Sequence, residues 1–303
     1  MPFNPSVFKT RALTAAVFVA VMLVGLLWNG WSFFLLFSIV HFGCWHEYNR
    51  LMEAIHAGYS RVPQSARILV MAAGWTAMLF AAGPLLPGLH GHIDGRTWAV
   101  LGVVLLSAAM LIILLSRAKD WRSIGLLAAG LAYISLSWSL LVNLRSGALW
   151  ATKDGTVDGF ANSLDRIGHL AGFAMPLIII ATIWLNDTMA YLVGSFIGKT
   201  PLSPISPKKT WEGTVGGILI SVLLVTWGTT LWIQADPWAV AAVSSVTAVA
   251  GTFGDLLESK LKRLAGVKDS GHFMPGHGGF LDRFDSLLVA IPFAWILCKL
   301  LLR

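Results

Sequence analysis

Apolar runs dominate this chain, and its polar residues collect between them. Nine runs stand out, centred in 12–28, 30–45, 68–86, 98–116, 124–144, 170–197, 213–233, 238–257 and 281–301. Apolar stretches of about 20 residues mark membrane helices. Barrel strands would alternate apolar and polar positions, and these runs do not. The pattern predicts an all-α polytopic membrane protein with about nine transmembrane helices. The second run is short and broken by His41, so its ends are undefined. The first follows Lys9 and Arg11, as a signal peptide would. No small-residue cleavage site comes after it and another apolar run begins almost at once, so a retained span is expected.

Composition agrees with the pattern. Hydrophobic residues make up 56% of the chain and charged residues 12%, against about a quarter charged in soluble domains. Mean hydropathy is +0.72. Nine spans place the termini on opposite sides, and basic residues choose the orientation. With the N-terminus inside, the inner face holds Lys9, Arg11, Arg50, Arg61, Arg67, Arg117, Lys119, Arg122, Lys199, Lys208, Lys209, Lys260, Lys262, Arg263, Lys268 and Arg283, which is 16 of the 22 Lys and Arg residues. This orientation puts the densest polar segments on the cytoplasmic side, where nucleotides are. The net charge of +7 follows mainly from this topology and from few acids. Attraction to anionic lipid headgroups adds to it. The basic residues are scattered over loops and form no stripe, so no nucleic acid partner is expected. Cys44 and Cys298 lie in or beside apolar runs and suggest neither a disulfide framework nor a zinc site.

The two halves differ in kind. Residues 1–169 read as an N-terminal transmembrane region of about five spans, and 170–303 as a catalytic transmembrane region of about four spans plus polar loops. His46 to Arg67 reads as a solvated connector, with an interfacial helix carrying Leu51, Met52 and Ile55 as the alternative. Asp154, Asp158 and Asp165 in the 145–169 loop read as solvated acids.

Two clusters carry chemistry. The first runs from Asn186 and Asp187, inside an apolar segment where an ionisable group points to function, through Tyr191 and Gly194 at helical spacing. Gly198-Lys199-Thr200 is not a phosphate-binding loop of the strand–loop–helix kind, because position 193 is Val and no strand precedes it. Ser206-Pro-Lys208-Lys209-Thr210 places two ammonium groups and two hydroxyls just before a helix N-terminus, which suits phosphate. The second cluster starts with Asp255 and Glu258, one helical turn apart near the end of the eighth run. It continues through Ser259 to Ser286, with five basic residues, three aspartates, two histidines and five glycines. Asp282 and Asp285 repeat the one-turn spacing. Two acidic helix ends would make an oxygen-rich cage of the sort Mg²⁺ completes with substrate phosphates. Gly276, Gly278 and Gly279 give backbone freedom for N–H groups to wrap an anion. His272 and His277 suit phosphate donation or proton shuttling, and no Cys or third His lies near enough for zinc.

The run S-x-x-K-R-x-x-x-x-K-D-x-x-x-x-x-P-G-H-G-G-x-x-D-R-x-D, from Ser259 to Asp285, closely resembles the signature of phosphatidate cytidylyltransferases, the CDP-diacylglycerol synthases. Asp187, Ala190, Tyr191, Gly194, Gly198, Lys199 and the S-P-K-K-T-x-E-G run also resemble that family. The likeness covers roughly residues 180–290. It implies a bacterial inner-membrane enzyme that joins CTP and phosphatidic acid, with a Mg²⁺ requirement, a bound K⁺ and a homodimer. It implies Asp255, Asp282 and Asp285 as metal ligands, with Asp187 and Glu258 as weaker ones. Lys262, Arg263, Lys268, His277 and Arg283 would be catalytic. Asn186, Asp187, Tyr191, Lys199, Ser206, Lys208, Lys209, Thr210, Ser259, Gly276, Gly278 and Gly279 would bind substrate. A CTP-dependent lipid-alcohol kinase and a polytopic transporter remain open. A transporter would hold its polar groups near the midplane, whereas here they gather toward one face.

Overall fold

The computed structural model describes residues 5–86, 94–116, 120–146, 171–273 and 278–301. Its helices are α1 (Pro5–Leu27), α2 (Gly30–Ile55), α3 (Gln64–Ala81), α4 (Gly95–Leu115), α5 (Trp121–Gly130), α6 (Leu136–Ser146), α7 (Ala171–Ile197), α8 (Trp211–Ile233), α9 (Pro237–Leu264) and α10 (Leu281–Leu301). A π-helical turn, Leu131–Ser135, joins α5 to α6. One antiparallel hairpin, β1 (Pro201–Ser203) and β2 (Ser206–Thr210), interrupts the helices, with Pro201 opposite Thr210 and Ser203 opposite Ser206. Among the described residues, each of the nine apolar runs is largely helical. Among the described residues, six helices are long and apolar enough to cross a membrane: Gly95–Leu115, Trp121–Ser146, Phe173–Ile197, Trp211–Ile233, Pro237–Leu264 and Leu281–Leu301. Their apolar surface is turned outward as well as inward, since Phe196 is 84% exposed and Leu115 79%. Helices apolar all round belong in lipid. Trp121, Trp211, Trp232 and Trp238 sit exposed at helix ends, where a bilayer places its aromatic belt. The chain is a helical polytopic membrane protein.

The fold divides into two compact units. The first is Met1–Ser139 with Leu261–Phe284, and the second is Leu140–Lys260 with Asp285–Arg303. In the first unit Asn29 and Ser32 form a reciprocal cap, each side chain accepting the other's backbone N–H, at 2.8 and 3.0 Å, and this starts α2. The expected solvated connector after His46 is instead helical as far as Ile55. Leu51 and Met52 are buried there, so packing extends the helix past the last strongly apolar position. The core sets Phe37 at a tilt against Trp138, with centroids 5.0 Å apart, and Trp138 edge-on to Phe284 at 5.5 Å. The π turn aims Ser135 at α2. Its hydroxyl accepts from Trp45 Nε1 at 2.9 Å and lies 3.0 Å from His41 Nε2. The histidine that breaks the second apolar run thus has a buried polar partner.

In the second unit α7 and α8 approach closely. A Cβ on Gly213 would lie 2.6 Å from the Ala190 carbonyl oxygen, so only glycine fits there. Elsewhere in the unit Thr182 donates to Ser244 at 3.3 Å, and Trp295 Nε1 to Asn143 at 2.9 Å. Both pairs satisfy polar groups inside an apolar core.

Candidate active site

The hairpin and the start of α8 shape the site in the second unit. Thr210 caps α8, its hydroxyl accepting from Gly213 N–H at 3.2 Å. Glu212, in the first turn, reaches back to the chain ahead of β1. It accepts from the N–H groups of Lys199 and Thr200, both at 3.1 Å, and from the Thr200 hydroxyl at 2.8 Å. Trp211 N–H donates to Thr200 O at 2.9 Å. These bonds clasp both ends of the hairpin to the helix it precedes.

Beneath this clasp lies a cavity of about 500 Å³. Asn186, Asp187, Tyr191 and Gly194 of α7 line one side. Ser206, Lys208, Lys209 and Thr210 of the hairpin line another, and Thr252 and Asp255 of α9 complete it. Lys209 forms an ion pair with Asp255. Ser259 donates to the other Asp255 oxygen at 3.3 Å. Asn186 is 4% exposed, and its carbonyl Oδ1 has no protein donor. Buried amides are normally satisfied, so this oxygen is set for a ligand or water. Asp285 lies on α10 in the same unit, where its backbone carbonyl meets α9 at Gly254, 2.6 Å from where a Cβ there would stand.

In the first unit the signature segment forms a second polar cluster. α9 ends at Leu264, and just past it Gly266, with φ +71°, makes the left-handed turn that glycine favours. Val267 N–H bonds Lys262 O at 2.9 Å, and the Arg263 side chain donates to Val267 O at 3.1 Å. Asp282 Oδ1 takes the Lys262 ammonium at 2.7 Å. Its Oδ2 takes the N–H groups of Ser270 and Gly279, at 2.9 and 2.8 Å. Glu47 of α2, 4% exposed, accepts from Phe280 N–H, Leu281 N–H and the Ser270 hydroxyl. Arg263, Lys268 and Arg283 are exposed. Gly276 and His277 lie outside the described residues, as do Asp154, Asp158 and Asp165.

Eight of the expected residues therefore share one cavity: Asn186, Asp187, Tyr191, Ser206, Lys208, Lys209, Thr210 and Asp255. Lys199 enters by its backbone, through Glu212. Among the described residues, no three His, Cys, Asp or Glu side chains gather as a ready-made metal site. Glu212 and Glu47 were not singled out from sequence. Glu212 stands inside the S-P-K-K-T-x-E-G run, and Glu47 is an acid at the edge of an apolar stretch; each is a signal of the kind that marks function in membrane helices.

The model of the cytidylyltransferase family matches residues 9–301. The chain belongs to the cytidylyltransferase family. Within that family it is similar to the phosphatidate cytidylyltransferase of Synechocystis, 30% identical over 308 residues, covering 96% of this chain and 97% of the relative. The Brucella abortus protein of the same name is 30% identical over 294 residues, covering 95% and 92%. That of Staphylococcus epidermidis is 35% identical over 209 residues, covering 65% and 78%. The likeness to the first two spans both units, so this cytidylyltransferase matches them in the N-terminal helices as well as in the signature segment.

Proposed function

We propose that this cytidylyltransferase transfers CMP from CTP to phosphatidic acid, giving CDP-diacylglycerol and pyrophosphate. The observation that carries the reading is the cavity of the second unit. It brings two lysines, two carboxylates and an unpartnered buried amide oxygen under a hairpin at a helix N-terminus, in a chain alike end to end to phosphatidate cytidylyltransferases.

In the reaction an oxygen of the lipid phosphate attacks the α-phosphorus of CTP. The bond from the α-phosphorus to the bridging oxygen breaks, and pyrophosphate leaves with that electron pair. Both substrates are anions, so the protein must screen their repulsion and hold attacking and leaving oxygens in line. Lys208 and Lys209, which line the cavity, would neutralise phosphate there. Asp255 holds Lys209 in place until substrate arrives. Asn186 and Tyr191 offer an amide and a phenol for orientation. Lys262, Arg263, Lys268 and Arg283 neutralise further phosphate charge. Gly276, Gly278 and His277 would supply N–H and imidazole donors, while Gly279, its N–H held by Asp282, would allow close approach of the backbone.

The donors fit Mg²⁺. They are hard carboxylate oxygens, too few to enclose an ion, and Mg²⁺ is held by one or two carboxylates with substrate phosphates completing its shell. Asp255 and Asp285 would hold it, with Asp187 lining the same cavity as Asp255. When bound, the ion supplies charge neutralisation on the phosphates. Asp282, the third metal ligand expected from the sequence, has both oxygens engaged by Lys262, Ser270 and Gly279, so its part would be to keep Lys262 and the segment at Gly279 in place.

We also infer nine spans, an inside N-terminus, a homodimer, and an active site on the cytoplasmic face of a bacterial inner membrane. The excess of basic residues on the loops assigned to that face supports the orientation. The activity is tested by incubating purified protein with CTP, Mg²⁺ and phosphatidic acid and identifying the lipid by mass spectrometry. The expected product is phosphatidic acid carrying CMP. A lipid alcohol that gains one phosphate, with phosphatidic acid unchanged, would point to a kinase instead.

A further inference from the structure

Glu47 lies on α2, more than 220 residues from the segment it touches. Two of its three donors are the backbone N–H groups of Phe280 and Leu281, each at 2.9 Å, one on each carboxylate oxygen. These groups stand at the start of α10, where Phe280 O already accepts from Phe284 N–H. The first N–H groups of a helix lack partners within it, and a negative charge at that end is favourable. Glu47 therefore caps α10 from another helix. The third donor, the Ser270 hydroxyl, lies 2.7 Å from Glu47 and 2.9 Å from Asp282 Oδ2. Its single hydrogen serves one carboxylate at a time. Bare backbone lets the chain come this close, since a Cβ on Gly271 or on Gly279 would stand 2.2 Å from Glu47 Oε1. One side chain thus ties Ser270 to Phe280 and Leu281 within the signature segment. Asp282 is the next residue, with Lys262 on its free oxygen.

We infer that Glu47 is a positioning residue for cytidylyl transfer. It acts through other residues: it fixes the spacing between Ser270 and the start of α10, and so the aim of Lys262 and Asp282. The inference rests on the activity proposed above. Glutamine tests it well. Glu47→Gln keeps the size and one acceptor, but turns an NH₂ toward one backbone N–H that can only donate. Glu47→Asp keeps the charge and withdraws it by one methylene.

The experiment measures kcat and KM for CTP, melting temperature, and amide hydrogen exchange in Glu47→Gln, Glu47→Asp, Ser270→Ala and the Gln/Ala double variant. The expected result for Glu47→Gln is a fall in kcat of about tenfold to a hundredfold, as misplacement of catalytic groups produces, with KM changed less. Exchange quickens at 278–284 and not in α8, and melting stays within a few degrees. Glu47→Asp retains more activity than Glu47→Gln, and the double variant loses less than the product of the single losses. Wild-type kcat in Glu47→Gln overturns the inference. So does failure of both Glu47 variants to fold, which would make the role structural. Exchange reads the clamp without reference to activity, so a wild-type protein that made no CDP-diacylglycerol would reject the function and leave the clamp to be judged separately.

Discussion

Asp255 and Glu212 are both carboxylates in hydrogen-bonded contact with the hairpin region, yet they do different things. Asp255 faces the cavity and balances a lysine there. Asp255→Asn removes that charge while keeping the shape. Activity should fall by at least about a hundredfold, the size of effect seen when a preorganised charge is removed from a reacting phosphate or oxyanion. Partial recovery at raised Mg²⁺ is expected, and an unchanged Mg²⁺ dependence in a steady-state assay would argue against a metal role. Glu212 does not line the cavity but clasps Lys199 and Thr200. Glu212→Ala removes the acceptor that ties the Lys199 and Thr200 N–H groups to α8 and leaves them to water. It should lower the melting temperature and raise KM for CTP more than it lowers kcat. Asp255 was legible in the sequence because its spacing from Glu258 and its place before a basic segment suggested it. Glu212 was legible only as a letter in a run, since its partners depend on how the hairpin folds back. Glu47 was not singled out from the sequence, because what gives it a role is partners 223 to 234 residues away.

At the scale of elements, the apolar runs located the helices because burial in lipid or core needs length and hydrophobicity, both visible along the chain. The hairpin was hidden. Its five-residue second strand is too short and too polar to show alternation, and it read as a Pro-stiffened turn before a helix. The π turn at 131–135 carries no sequence sign either; it is visible only through what Ser135 meets. The join of α2 to α5 allows a test by pH. Asp120 caps α5, accepting from Arg122 N–H at 3.1 Å and the Ser123 hydroxyl at 2.9 Å, and it also pairs with His56 just past α2. The hydrogen bond from His56, and then that from Ser123, holds its carboxyl down at about 2. A carboxylate with a lowered folded-state pKa stabilises above its unfolded value, about 3.9, and that contribution is lost as pH falls toward 2. Wild type should therefore melt higher than Asp120→Asn near about pH 6, with the gap closing between about pH 4 and about pH 2. A gap that stays constant over that range would mean the charge of Asp120 does not matter.

Over the whole molecule, the inferred orientation puts the 56–63 loop, the hairpin and the signature segment on one side of the membrane. Both native cysteines are buried and give little background. Single cysteines at Ser60 and Asp269, both exposed, should react with an impermeant maleimide only from the cytoplasmic side. One placed in the 145–169 segment should react only from outside. Labelling of Ser60 and Asp269 from opposite sides would reject the orientation and leave the chemistry untouched.

The chemistry itself turns on which phosphorus of CTP is attacked. Purified protein is given phosphatidic acid, Mg²⁺ and CTP labelled at either the α or the γ phosphate, and the lipid is extracted. Cytidylyl transfer puts α-label in the lipid, with γ-label recovered in pyrophosphate. Label from the γ position in the lipid, with no CMP attached, would contradict it.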